Sequence, residues 1–270
     1  IRDSDTMLLR EMASLLGEKE DEMYFAALAG KIKKAYNDTF FHPGTMTYDR
    51  NSQTASAMSL YMDLVAPENK AKVSDNLVKD IQERNNALTA GDIGYRYVLR
   101  TLESGGLSEL IFDMNSKYDV PGYGWQLAHG ATALTESWQA YGFVSNNHLM
   151  LGHLMEWLFS GLGGLRQAKE SVAYKKIWID PQLAGDVKDA ATSYESPYGR
   201  IECEWRKTDG VYTLQVTIPA NSEAVVCLPT GDISKITEYG KPIAQEKEIT
   251  LIEATDDQTR WAVGSGTYLF

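Results

Sequence analysis

The residues most able to do chemistry lie in one stretch of the chain, Tyr123–Trp138. Tyr123 and Trp125 stand among glycines shortly before a carboxylate, Glu136. After a further short loop, Asn146 and Asn147 precede His148. Aromatic faces stack on pyranose rings, and a carboxylate can activate water, so this combination is typical of a sugar-binding cleft with a general base.

Two helices are predicted to position these groups, one over 131–141 and one over 147–162. Leu134 and Trp138 are four residues apart and share a face of the first helix, whereas Glu136 points about 200° away from Leu134. Asn146 or Asn147 is a good N-cap for the second helix, which places His148 in its first turn. The pattern therefore predicts helix ends that meet at one rim.

Each of these residues also has a structural interpretation. An isolated Glu on a helix is usually a solvated surface residue, and a His at a helix start is usually a cap or a packing residue. Trp138 and Trp157 are predicted core residues, because each sits among apolar residues at helical spacing. His129 and His153 lack carboxylate or thiolate partners at metal-ligand spacing, so we expect no metal and no other cofactor.

The first half of the chain is predicted to be helical, because apolar residues recur at helical spacing. Ser4 or Thr6 is predicted to cap the first helix, and Gly17 to end it. The eight predicted segments are 4–16, 21–36, 54–64, 67–83, 94–104, 107–116, 131–141 and 147–162. Short links between them favour antiparallel α/α hairpins. Periodicity alone does not show whether the array closes into a toroid.

The second half changes to a period of two, which predicts short strands of an antiparallel β-sandwich. The predicted strands are 176–180, 199–206, 212–218, 223–228, 233–239, 248–253 and 259–263. We therefore place domains at 1–165 and 166–270, and we assign the second a structural or accessory role. Cys203 and Cys227 lie in different predicted strands, and both a disulfide and two buried thiols fit this spacing.

Composition excludes several classes of function. The 270 residues carry a formal net charge of −11 that is spread over both halves, which argues against a nucleic-acid partner. No run approaches the roughly 18 apolar residues of a membrane span. Two cysteines are too few for a cysteine-built zinc site. The N-terminus shows neither a starting Met nor a signal pattern, as in a processed product or a piece of a longer chain.

Ordered motifs along the chain resemble the α-L-rhamnosidases of glycoside hydrolase family 78. The run Gly130–Trp138 is similar to the family signature Gly-Ala-Thr-Thr-x-x-Glu-x-Trp, and Asn147–Leu158 resembles its Asn-His … Gly … Glu-Trp-Leu segment. Further landmarks are Ser52–Ala55, Leu88–Gly94, Ile179–Pro181 and Ser196–Gly199 with Trp205. The resemblance covers nearly the whole chain in order.

The resemblance implies an (α/α)₆ toroid, or six-hairpin barrel, followed by a β-sandwich, and hydrolysis with inversion at the anomeric carbon. It implies that Glu136 is the general base and that His148 contacts the bound rhamnose. Tyr123 and Trp125 are weaker candidates for the cleft wall, and Gln53 and Asp92 are weaker still. The implied partner is a rhamnose-containing glycan or glycoside, and the implied location is periplasmic or extracellular.

This sequence departs from the family pattern in three ways. Thr135 replaces the usual aromatic residue before the glutamate, and the loop between Glu136 and His148 is shorter than in many members. The family's general acid lies in an acidic, tryptophan-bearing segment, and no such segment occurs between Ile1 and Tyr48. Eight predicted helices, against twelve in a complete toroid, favour an incomplete toroid that continues from N-terminal domains outside these residues.

Two alternative functions stay open at this level. The chain on its own would be a catalytically silent carbohydrate-binding or structural fragment if it holds a base without its acid. The toroid would alternatively act on another sugar, such as an α-L-fucoside, because specificity depends largely on residues outside the chain.

Overall fold

The computed structural model describes residues 2–270, with side chains from Ser4 onward. The chain forms two compact units. The first comprises the residues up to Gly105 together with Asp113–His153, and the second comprises Gly106–Phe112 together with Leu154–Phe270. The limits 1–165 and 166–270, inferred from composition, remain a prediction about sequence domains.

Helices dominate the first part of the chain. Their bounds are α1 (Arg2–Leu16), α2 (Lys19–Phe40), α3 (Gln53–Tyr61), α4 (Lys70–Glu83), α5 (Asp92–Ser104), α6 (Ser108–Ser116) and α7 (Tyr123–Ala128). A short hairpin of β1 (Phe41–His42) and β2 (Thr47–Tyr48) follows α2. Helix α1 packs against α2, and α3 packs against both α4 and α5. The helices predicted between residues 21 and 116 are confirmed, with bounds that shift by a few residues.

Spacing by four explains the buried face of α4. Val73, Leu77 and Ile81 are all buried, as expected for an apolar stripe that faces the core. The start of α1 differs from the prediction, because the helix already begins at Arg2 and neither Ser4 nor Thr6 occupies its N-cap. Its predicted end is confirmed, since Gly17 adopts a φ of 79°, the left-handed conformation that commonly follows a helix.

The helix predicted over 131–141 is absent from the described residues. Helix α7 precedes this stretch and is followed by Gly130 in the left-handed region, and the chain then runs as irregular loop and turn. The hydroxyl of Thr135 donates to the Ser137 carbonyl at 2.6 Å. Such local bonds offer the backbone an alternative to helical pairing, and Ala140, at φ 54°, has left helical geometry.

The prediction of one continuous helix over 147–162 is also wrong. The structure divides it into a 3₁₀ turn at Leu149–Leu151, a short helix α8 (Leu154–Trp157) and a π-helical turn at Leu158–Leu162. The indole of Trp157 lies against Gly161, where an added Cβ would stand 2.5 Å from the ring. The Trp157 Nε1–H donates to the Ser108 hydroxyl at 2.8 Å. Trp157 is therefore a core residue, as predicted.

Two sheets form the β-sandwich of the second unit. One has five strands in the order β11 (Thr250–Ala254), β12 (Thr259–Val263), β8 (Glu223–Leu228), β4 (Lys176–Ile179) and β3 (Leu165–Gln167). The other has four, in the order β13 (Gly266–Leu269), β7 (Val211–Ile218), β6 (Gly199–Thr208) and β5 (Asp189–Ser196). A further two-residue pair joins β9 (Thr237–Glu238) and β10 (Lys241–Pro242).

Each sheet buries one face, which is why its strands alternate in sequence. Trp261 and Val226 lie on the buried face of the five-stranded sheet, and Trp205 and Leu214 on that of the four-stranded sheet. The Trp205 Nε1–H donates to the Leu162 carbonyl at 2.7 Å, so its polar atom is satisfied in the core.

The structure differs from the strand predictions in several places. Strands β3, β5, β10 and β13 were not expected, and 233–239 forms a 3₁₀ turn at Ile233–Lys235 before the short β9. Strands β4 and β8 pair in parallel, whereas the other described strand pairs are antiparallel. Cys203 and Cys227 are buried free thiols, and burial raises the pKa of each to about 12.

A close contact between α3 and α5 depends on Gly94. A Cβ built at this position would stand 2.1 Å from the Thr54 hydroxyl oxygen, so Gly94→Ala should force the helices apart. We expect it to lower the free energy of unfolding by about 1–3 kcal/mol, measured by urea titration followed by circular dichroism.

Gly30, in α2, is the matched control, because it is exposed and has no atom near its would-be Cβ. Gly30→Ala should raise stability by up to about 1 kcal/mol through helix propensity. Adding Thr54→Ala to Gly94→Ala removes the two closest atoms and should recover part of the loss. An unchanged stability in Gly94→Ala would contradict the close packing.

Candidate functional site

Glu136 and His148 lie on facing arms of one loop. The Glu136 N–H donates to the Ser145 carbonyl at 2.9 Å, and the His148 N–H donates to the Leu134 carbonyl at 2.8 Å. These two main-chain bonds hold the arms together without regular secondary structure. The segments that carry Glu136 and His148 therefore lie close together, as predicted, but they do so within one loop. The prediction that two helix ends meet here is wrong.

The carboxylate of Glu136 is exposed on this loop. Its Oε2 accepts a hydrogen bond from the Ser145 N–H at 3.2 Å, which orients the side chain. No other described group bonds to this carboxylate, so Oε1 is open to a water molecule or a ligand. A carboxylate held by one oxygen and open at the other can act as a general base.

His148 is paired with Asp92, which opens helix α5. The His148 Nε2 lies 3.2 Å from the Asp92 Oδ2, and the side chains are 21% and 40% exposed. Asp92 Oδ1 also accepts from the Ile93 N–H at 2.8 Å. This backbone bond, followed by the bond to His148, lowers the pKa of the Asp92 carboxyl. The carboxylate thus stays ionised and fixes the imidazole that faces it.

Tyr123 belongs to a cluster of aromatic rings under the loop. Its ring meets Trp138 edge-on at 5.2 Å between centroids, and Tyr95 at 6.0 Å. Its hydroxyl donates to the Leu151 carbonyl. Trp138 is 5% exposed and donates to the Ala90 carbonyl at 2.6 Å, so its predicted core role is confirmed. Tyr123 accordingly supports the loop, and its hydroxyl is already engaged.

Trp125 reaches the same loop from α7. Its indole N–H donates to the Gln139 carbonyl at 3.2 Å, and its ring stacks on His129 at 3.9 Å between centroids. The His129 Nδ1 lies 2.9 Å from the Trp125 carbonyl oxygen. These contacts fit the structural role predicted for His129, which stays a prediction. Trp125 is partly exposed, which leaves it compatible with a cleft wall.

Gln53 does not reach a surface where it could meet a substrate. It is 1% exposed, and its amide donates to the Ala87 carbonyl at 3.0 Å and accepts from the Thr89 N–H at 3.1 Å. Both ends of the amide are therefore used to hold the segment that leads to Asp92. The expectation of a direct substrate contact is replaced by this structural role.

Sequence reasoning missed two aromatic residues on the loop itself. Tyr141 and Phe143 are 47% and 86% exposed and stack in parallel, with 5.3 Å between ring centroids. They lie between Glu136 and His148, on either side of Gly142. The available signal was an aromatic pair around a glycine, but Tyr141 was assigned to the end of the predicted helix 131–141 and Phe143 to the loop after it.

The structure thus joins Asp92 with His148 and places Glu136 on the same loop as His148. Among the described residues, no group of three or more His, Cys, Asp or Glu side chains could hold a metal ion. No described helix is both long and apolar enough to cross a membrane. The arrangement offers an exposed carboxylate, an oriented imidazole and exposed aromatic faces, which together suit a neutral polyol ligand.

Comparisons with known proteins give consistent matches over both units. Residues 4–162 match the family model described as a bacterial alpha-L-rhamnosidase 6 hairpin glycosidase domain, and residues 164–241 match a bacterial alpha-L-rhamnosidase C-terminal domain. An alpha-L-rhamnosidase of Formosa agariphila is 26% identical over 97% of this chain and 29% of its own length. One of Streptomyces avermitilis is 25% identical over 97% of this chain and 25% of its own length.

Solved structures give the same result for the fold. The alpha-L-rhamnosidase of Dictyoglumus thermophilum superposes with a TM-score of 0.88 at 29% identity, over 99% of this chain and 30% of that chain. The Streptomyces avermitilis enzyme, crystallised with L-rhamnose, also reaches 0.88, at 23% identity over 99% of this chain and 26% of that chain. The chain therefore spans between a quarter and a third of these relatives.

Proposed function

Because the chain belongs to the bacterial α-L-rhamnosidase family, we propose that it forms the C-terminal portion of an enzyme that hydrolyses terminal α-L-rhamnosides. Membership confirms the resemblance of the sequence motifs and the expected fold class, an α/α-toroid domain followed by a β-sandwich. The chain spans 29% and 25% of two curated relatives, so the activity is proposed for a longer parent enzyme.

The exposed carboxylate of Glu136 is the observation that carries this proposal. Its Oε2 is oriented by the Ser145 N–H, and its Oε1 is available to accept a proton from water. In the proposed reaction, the water oxygen attacks the anomeric carbon while Glu136 takes its proton. His148, held by Asp92, supplies a hydrogen bond to a hydroxyl of the sugar.

Inversion requires a second carboxyl group on the opposite side of the sugar. That group, as a general acid, gives a proton to the leaving oxygen while the glycosidic bond breaks, and the two carboxyl groups lie roughly 6.5–9.5 Å apart. We propose that the acid comes from polypeptide outside these 270 residues. The aromatic faces of Trp125 and Phe143 are then candidates for the apolar side of the cleft.

The test uses the parent enzyme with an aryl α-L-rhamnoside, and proton NMR of the first sugar released. We expect β-L-rhamnose before mutarotation, and no comparable turnover of the matching α-L-fucoside. First release of the α anomer would refute inversion, and a preference for the fucoside would refute the substrate. The 270-residue chain alone should be inactive; turnover by this chain would place the acid within it.

A further inference from the structure

A groove of about 790 Å³ crosses the outer face of the five-stranded sheet, entirely within the second unit. This volume lies in the range of small-molecule sites. The outer face of the four-stranded sheet, by contrast, carries polar residues such as Glu202, Glu204 and Gln215, as expected for a sheet face in water. The two outer faces of the sandwich therefore differ: the five-stranded sheet carries a groove, and the four-stranded sheet carries an ordinary polar surface.

One row of side chains forms the floor of this groove, which we call the Trp178 groove. The strand register aligns its members directly across the five strands, in the order Arg166, Trp178, Val225, Ala262 and Thr250. Small side chains in the middle leave space beside the larger indole. Ile252, 54% exposed, borders the same groove from β11. The three middle members of the row, Trp178, Val225 and Ala262, thus form an apolar surface with an aromatic wall, and Arg166 and Thr250 stand at its polar ends.

The indole of Trp178 is held in place by polar neighbours outside the groove. Its N–H donates to the Asp180 Oδ2 at 3.4 Å, and the Arg260 guanidinium lies 5.6 Å from the ring centroid. Asp180 is itself paired with Arg166 at 2.6 Å. A ring fixed in this way loses little conformational entropy when a ligand stacks on it.

Charged groups border the groove with balanced sign. Three basic side chains and three acidic ones line it: Arg166, Lys169, Lys176, Glu170, Glu223 and Glu248. Lys176 and Glu223 form an ion pair at 3.0 Å. A balanced rim does not select an anion or a cation, but it offers many donors and acceptors to a neutral ligand.

We propose that the Trp178 groove is an accessory binding site for a neutral oligosaccharide. The apolar face of a sugar ring stacks on Trp178, and its hydroxyl groups bond to the charged rim. The choice of a rhamnose-containing ligand rests on the proposed function, because such a site would keep the substrate of the parent enzyme close. The groove itself belongs to a different unit from Glu136.

Calorimetric titration of the 270-residue chain with the disaccharide α-L-rhamnosyl-D-glucose tests the proposal. We expect saturable binding that Trp178→Ala weakens at least about tenfold, or about 1.4 kcal/mol. Trp178→Phe keeps a ring and should retain part of the affinity, while Ala262→Leu fills the floor and should also weaken binding. Tyr198→Ala, at an exposed aromatic outside the groove, should bind as wild type does. Circular dichroism verifies that each variant is folded.

Three outcomes would refute the proposal that the Trp178 groove binds sugar. These are no saturable binding by the folded chain, equal binding by Trp178→Ala and wild type, or binding that is lost only in Glu136→Gln or His148→Ala. The last outcome would leave the proposed function intact. Conversely, a parent enzyme that fails to cleave rhamnosides, combined with Trp178-dependent sugar binding, would refute the proposed function and support the groove.

Discussion

Glu136→Gln in the parent enzyme is expected to lower kcat on an aryl α-L-rhamnoside by two to four orders of magnitude, about the contribution of a positioned general base. The amide has the size of the carboxylate and can still accept the Ser145 N–H bond now made by Oε2 at 3.2 Å. The loop should therefore keep its shape and KM should change little. Steady-state kinetics measures both parameters.

Glu68→Gln is the control for this variant, because Glu68 is exposed and lies in the short 3₁₀ turn at Pro67–Asn69. It removes the same charge from the same unit and should leave kcat unchanged. Near-normal turnover in Glu136→Gln would refute the assignment of the base. A loss of turnover that accompanies a loss of helical signal would instead reflect misfolding, so the circular dichroism of each variant is recorded first.

Trp138→Ala is expected to lower the free energy of unfolding by about 3–5 kcal/mol, the usual cost of emptying a tryptophan site in a core. The ring is 5% exposed and meets Tyr95 at 4.9 Å between centroids. Its loss also leaves the buried Ala90 carbonyl without the indole N–H that lies 2.6 Å away. Urea titration followed at 222 nm reports mainly on the helical unit.

The partly exposed Trp125 provides the comparison on the same segment, and Trp125→Ala should cost clearly less than Trp138→Ala. Trp138→Phe keeps the ring contacts but loses the hydrogen bond, so an intermediate cost is expected. Because Trp138 follows Glu136 closely in the chain, Trp138→Ala should also reduce turnover in the parent enzyme. Equal costs for the two alanine variants would contradict the core assignment of Trp138.

Periodicity in the sequence predicted a helix or strand correctly where one face of that element is buried within its own unit. The spacing of Val73, Leu77 and Ile81 predicted α4, and the alternation in 212–218 predicted β7. Periodicity did not predict whether an apolar face of a helix is buried. The helical spacing of Leu15 with its neighbours in α1 predicts a buried stripe, yet Leu15 is 88% exposed.

Strand β5 shows why some elements could not be predicted. Its sequence, Asp-Ala-Ala-Thr-Ser-Tyr-Glu-Ser, lacks the apolar alternation by which a strand is recognised. Every residue of β5 nevertheless has a partner on β6, from Asp189 opposite Arg206 to Ser196 opposite Gly199. The neighbouring strand supplies the pairing, so the element depends on tertiary structure and not on its own propensity.

The sequence by itself determined the order of a helical part and a β part and the core roles of Trp138 and Trp157, and it pointed to a candidate site in the segments around Glu136 and His148. Only the tertiary structure decided that a loop carries Glu136, that Asp92 faces His148, and that Gln53 is buried. The last two outcomes depend on hydrogen bonds between residues far apart in the chain, from His148 to Asp92 and from Gln53 to Ala87 and Thr89. Local spacing records which side chains are available, but folding decides which of them meet.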